Sequence, residues 1–123
     1  MKQATINNKL SKLKKEWALD EPNPICECCG LKPAVDMDHT IPQKRCKELH
    51  NYELIFDKEN ISRSCRSCHM EWESYKSGIF EDHKNVKQRM MFVKKHDLET
   101  FEKRISNMNN YLLMKYLREN DLY

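Results

Sequence analysis

At 123 residues, with 39% hydrophobic and 33% charged side chains and a mean hydropathy of -0.89, the chain can build one domain, or one small domain with helical arms, around a thin apolar core. Its 22 basic and 19 acidic residues leave a net charge of +3, too mild by itself to mark a nucleic-acid binder, and the sequence holds no run of about 18 apolar residues that would span a membrane. Six cysteines in so short a chain mean either disulfides or metal. The first fifteen residues carry Lys2, Lys9, Lys12, Lys14 and Lys15 and no apolar stretch, which does not read as a secretory signal. The expectation is therefore a cytoplasmic protein with reduced thiols, in which paired cysteines bind metal.

In chain order, Ile6, Leu10, Leu13 and Trp17 form one stripe on a helix from about Thr5 to Leu19, stopped by Pro22 and Pro24. From Ile25 to His69 cysteines cluster and short extended runs (Pro33 to Asp38, Leu54 to Asp57, Asn60 to Ser64) predict a hairpin with a long internal loop. Trp72, Tyr75 and Ile79 predict a helix that starts at His69 and breaks near Gly78. Val86, Met90, Met91 and Val93 mark a short helix. Asp97 is placed to cap a longer one carrying Leu98, Phe101, Ile105, Met108 and Leu112, a stripe that packs back on the core or forms a homodimer seam. Two clusters free of acids, the N-terminal lysines and the stretch with Lys84, Lys87, Arg89, Lys94 and Lys95, are solvated helix faces or surfaces for nucleic acid. The division expected is a basic amphipathic helix at 1–21, a metal-bound core at 22–80 and a helical region at 81–123.

Cys26 and Cys29 form one CxxC turn, with Gly30 after it, and Cys65 and Cys68 form a second. Each turn aims two thiolates at one point, so the pair completes a tetrahedral zinc site with no open position, which holds the fold and takes no part in chemistry. Cys28 and Cys46 lie outside that interval and read as ordinary thiols. Within the clamp lies Asp38-His39, in a run that ends at Pro42, and His69 directly follows the last cysteine. On a regular strand Asp38 and His39 point to opposite faces, so both serve one site only where the strand gives way to a loop. Because the zinc ties the two knuckles together, it carries His69 towards Asp38 and His39. An acid, two histidines and a staple are the equipment for a divalent metal and a general base acting on a phosphodiester. Asp36 reads as a surface or structural acid, and His50, His83 and His96 as structural histidines.

Asp38-His39-Thr40-Ile41-Pro42, Asn60 and Cys65-Arg66-Ser67-Cys68-His69 together resemble the motif of the HNH nucleases, also called ββα-metal or His-Me finger nucleases, over about Ile25 to Ser77. The zinc arrangement is similar to that of the junction-resolving endonuclease VII. The resemblance implies an α+β fold: a small ββα-metal core stapled by a four-cysteine zinc, flanked by an N-terminal helix and C-terminal helices. It implies His39 as general base, Asp38 and His69 as ligands of a catalytic magnesium or manganese ion, and Asn60 as the residue that supports the hairpin and orients His39. It also implies a small nuclease of phage or mobile-element type, acting on double-stranded DNA in a bacterial or phage-infected cell and leaving 5'-phosphate and 3'-hydroxyl ends. Lys44, Arg45, Arg63 and Arg66 are the expected DNA contacts. Many zinc-bearing relatives have a lysine a few residues after the final histidine, where this chain has Met70, Glu71, Trp72 and Glu73; Glu73, one helical turn after His69, is either a further ligand or an acceptor for the imidazole. The alternatives are a resolvase of branched DNA, which needs a dimer, and a zinc-ribbon module that binds without cutting.

Overall fold

A computed structural model describes residues 1–75 and 78–120; the far edge of the expected motif at Ser77 and the chain end at 121–123 lie outside the described residues. Among the described residues the fold is α+β, with six α-helices and one two-stranded antiparallel sheet. Helix α1 (Gln3–Asp20) is followed by β1 (Asp36–His39), α2 (Gln43–Glu48), two 3-10 turns (Tyr52–Phe56 and Lys58–Asn60) and β2 (Ile61–Ser64). Then come α3 (Arg66–Glu73), a 3-10 turn (Ile79–Asp82), α4 (Val86–His96), α5 (Leu98–Ile105) and α6 (Tyr111–Glu119). No helix among the described residues is long and apolar enough to cross a membrane.

The amphipathic pattern places α1 within two residues of its expected ends, and its last turn closes with the Glu21 N–H on the Trp17 carbonyl. Of its stripe only Ile6 is fully buried; Leu10, Leu13 and Trp17 are half-buried. β1 and β2 pair with Asp36 opposite Ser64, Met37 opposite Arg63, Asp38 opposite Ser62 and His39 opposite Ile61. The connection between the strands departs from the expectation. Leu54 to Asp57 is not extended: Leu54 and Ile55 lie in a 3-10 turn that buries both side chains in the core. The strand gives way over Thr40 to Pro42, but His39 itself is still paired, opposite Ile61. The short helix α2, polar except for buried Cys46, was not foreseen in the connection between the strands.

The C-terminal stripe is divided. Instead of one helix through Leu112, α5 ends at Ile105 and α6 starts after Asn110, whose side chain accepts from the Leu113 N–H. Glu81 fastens the connection, its Oε1 accepting from the Asn109 and Asn110 N–H groups at 2.7 and 3.0 Å. Phe101, Ile105 and Met108 are buried in the chain's own core, while Leu98 and Leu112 are exposed. That core draws on all three sequence segments: Ile6 from α1, Ile41, Ile55 and Trp72 from the middle, and Met90, Phe101 and Leu117 from the end. The four knuckle cysteines and Cys28 form a separate small cluster at the start of α3.

Candidate metal centre and sheet-face site

The first knuckle folds because Gly30 takes a left-handed conformation (φ 69°), which lets its N–H reach the Cys26 carbonyl at 2.9 Å. The Cys29 N–H points at the Cys26 sulfur at 3.5 Å. The second knuckle leads straight into α3, with Cys65 at the helix N-cap position and Cys68 in the first turn. The sulfurs of Cys26, Cys29, Cys65 and Cys68 all lie within 4.8 Å of one another. Tetrahedral zinc with bonds of about 2.3 Å needs sulfurs roughly 3.8 Å apart, so the set could hold a metal such as zinc.

The chemistry of these donors fits such a cation. Backbone N–H groups of Leu31 and Lys32 pull the Cys29 thiol down to about 6, whereas burial and the neighbouring thiols push Cys68 up. Four thiolates this close repel one another unless a cation sits among them. Cys28 and Cys46 stand outside the set, both raised to about 11 by burial.

β1 alternates, so Asp36 and Asp38 share one face with Ser62 and Ser64, and Met37 and His39 take the other. Asp38 is wholly buried. Its Oδ2 accepts from Ser64 Oγ and from Arg89 Nη1, and its Oδ1 accepts from Arg89 Nη2, all at 3.0 Å. Arg89 is itself buried, donates through Nε to Thr40 Oγ1 at 2.9 Å, and lies 4.0 Å from the centre of the Trp72 ring. On its other side Trp72 meets Arg104 at 3.6 Å, so the indole is held between two guanidinium groups.

α3 brings His69 to the same face. Its Nε2 lies 3.8 Å from Asp38 Oδ1 and 2.9 Å from Glu73 Oε1, and its Nδ1 lies 3.0 Å from Asp36 Oδ2. Asp36 also receives a two-pronged bond from Arg66, which holds its carboxyl below the usual range against the opposing effect of burial. Asp36 thus orients His69, a more specific position than the sequence indicated.

On the opposite face His39 Nε2 lies 2.8 Å from the Ile55 carbonyl. A carbonyl only accepts, so Nε2 carries the proton of the neutral ring, and Nδ1 is left with its lone pair and no partner among the described residues. Burial lowers the pKa of the ring, with the Ile55 carbonyl opposing; the charges of Asp38, His69 and Arg89 all reach it. Asn60, fully buried, fixes this corner: Oδ1 accepts from the Ile41 N–H at 2.7 Å, and Nδ2 donates to the Ile41 and Leu54 carbonyls at 3.0 and 2.8 Å. One amide therefore ties the chain just after His39 to the turn that supplies its acceptor.

The expected DNA contacts are in different situations. Lys44 is exposed, as are Lys2, Lys9, Lys12, Lys14 and Lys15 on α1. Arg66 is exposed but paired with Asp36; Arg63 pairs with Glu21 and Glu27 and lies over Trp17. Arg45 binds the buried Asp97 carboxylate through two bonds of 2.7 and 3.0 Å, joining α2 to α5. Arg89 was read with a basic surface, yet it falls in phase with Val86, Met90 and Val93 on the buried side of α4, which was the available sequence signal. The chain matches no protein-family model, no curated protein and no solved structure.

Proposed function

We propose that the chain is a divalent-metal-dependent endonuclease of the HNH type, with β1, β2 and α3 as its ββα-metal core and DNA as its substrate. The observation that carries this reading is the His39 ring at the end of β1: its Nε2–H is fixed on the Ile55 carbonyl, its Nδ1 has no partner among the described residues, and the charges of Asp38 and His69 both reach it from the other face. A neutral imidazole held in that tautomer is prepared to take a proton from water. The water oxygen attacks phosphorus as its proton passes to His39 Nδ1, the bond to the 3' oxygen breaks, and that oxygen takes a proton from solvent, leaving a 5'-phosphate and a 3'-hydroxyl.

The residues fit a catalytic cation. Asp38 Oδ1 accepts only one bond among the described residues, and His69 Nε2 faces both it and Glu73 Oε1. With the Nδ1–H of a neutral His69 donating to Asp36, Nε2 presents a lone pair to two carboxylates, an arrangement that a cation stabilises. Two carboxylates and one imidazole suit magnesium or manganese, with Asp38 and His69 as ligands and Glu73 as a third. Such an ion supplies Lewis-acid stabilisation of the charge that develops on the phosphate and the leaving oxygen. Arg89 pairs with the buried Asp38 and fixes its orientation, and Asn60 holds the turn that orients His39.

A non-catalytic zinc module is favoured by one observation: Asp38 is already matched by Arg89 and Ser64, as a purely structural carboxylate would be. Incubation with supercoiled plasmid and with branched DNA, in magnesium, in manganese and in chelator, separates the readings. Metal-dependent cutting of plasmid supports the nuclease. Cutting confined to branched DNA moves the assignment to a resolvase, and binding without cutting in every metal moves it to the module.

A further inference from the structure

α3 carries ligand-type side chains on a second face, independent of the sheet-face site. Cys68 and Glu71 stand three residues apart, on one side of the helix, and His83 approaches from the segment before α4. A sulfur, a carboxylate oxygen and a ring nitrogen of these three residues lie within 4.8 Å of one another. The approach of His83 is built in: the next residue, Lys84, donates its N–H to the Cys28 carbonyl at 2.8 Å, which pins this segment to the first knuckle.

The His83 ring is only partly matched by protein. Its side chain is 5% exposed, Nε2 lies 2.8 Å from Glu71 Oε1, and Nδ1 is buried with no hydrogen-bond partner among the described residues. Nε2 and Glu71 Oε1, 2.8 Å apart, are spaced as two ligands of one cation are, and a metal bound there would take the place of the proton that the two atoms share. We propose that Cys68, Glu71 and His83 form a second zinc site, joined to the four-cysteine site through the shared Cys68 thiolate. Thiolate sulfur has lone pairs enough to bridge two cations, and a zinc bound by four thiolates carries excess negative charge that attracts a second. Sulfur, nitrogen and oxygen donors together suit zinc better than magnesium. Glu71, one third exposed, opens the site to solvent, so an ion can enter and water can fill the remaining positions.

The test is zinc stoichiometry in the full chain, measured by mass spectrometry under native conditions with zinc in excess. It is done in a His69→Ala background, so that zinc at the sheet-face site is not counted; its outcome does not depend on whether the protein cuts DNA. The expected result is two zinc ions per chain, falling to one in His83→Ala and in Glu71→Ala, the latter at a partly exposed position that leaves the core intact. With cobalt in place of zinc, thiolate-to-metal absorption should keep growing through the second equivalent. A single zinc per chain before either further substitution, or two that persist in both variants, overturns the proposal.

Discussion

Arg89 donates Nη1 and Nη2 to the two carboxylate oxygens of Asp38, at 3.0 Å each, and neither residue has more than 3% of its surface exposed. The pair joins α4 to the middle of β1, and with Thr40 and Trp72 it links the sheet to the helical core. Removing one partner strands the other in a dry interior. Arg89→Met should therefore destabilise the protein by about 3–5 kcal/mol, and Arg89→Met combined with Asp38→Leu by distinctly less. Urea unfolding of the single and double variants checks this; equal losses would show that the pair is not a unit.

Zinc should be required for the fold. Cys65→Ser is expected to release zinc and to abolish cooperative melting, because metal binding at such sites contributes on the order of 10 kcal/mol to folding. Cys46→Ser, at a thiol outside the cluster, should keep its zinc. Metal analysis with thermal melts of both variants decides the point.

The C-terminal helices give a paired prediction. Ile105 is fully buried and Leu112 is 77% exposed, although regular spacing put both on one stripe. Ile105→Asp should cost roughly 3 kcal/mol or more through an unpaired buried charge, while Leu112→Asp should change stability by about 0.5 kcal/mol or less. Similar effects for both in chemical denaturation would contradict the division into α5 and α6.

Asp97 caps α5 and binds Arg45. Burial pushes its carboxyl up, but Arg45 and Thr100 outweigh burial and hold it below its ordinary value. A carboxyl depressed in the folded state stabilises above its unfolded pKa, near 3.9 (roughly), and that contribution is lost as pH falls through the lower folded value. Asp97→Asn should thus destabilise at neutral pH by about 3 kcal/mol, with the gap to the parent narrowing below about pH 4. Melting curves across that range measure it.

The parts legible in the sequence were those set by local chemistry. CxxC spacing located the four-cysteine cluster, periodicity located α1 and α4, and Asp97 announced the start of α5. The break after α5 was hidden because Met108 and Leu112 continue the stripe in phase across it, and the polar side chains that fix it, Asn110 and Glu81, are 29 residues apart. Arg89 was hidden differently. A basic residue among lysines reads as surface, and the counter-charge that makes its burial tolerable comes from Asp38, 51 residues away. Leu54 and Ile55 have the composition of a strand, but tertiary packing and the bond from Asn60 to the Leu54 carbonyl make them a turn.

The central claim is that His39 acts as a base while His69 holds a metal, and the most direct measurement compares plasmid cleavage by His39→Ala and His69→Ala across a manganese titration. His39→Ala should stay folded, retain zinc and lose cleavage by about 100-fold or more at every manganese concentration, since no metal restores the missing proton acceptor. His69→Ala should be weak at low manganese and partly recover at high manganese, as mass action refills the weakened site. Cleavage by His39→Ala at the parent's rate would contradict the account.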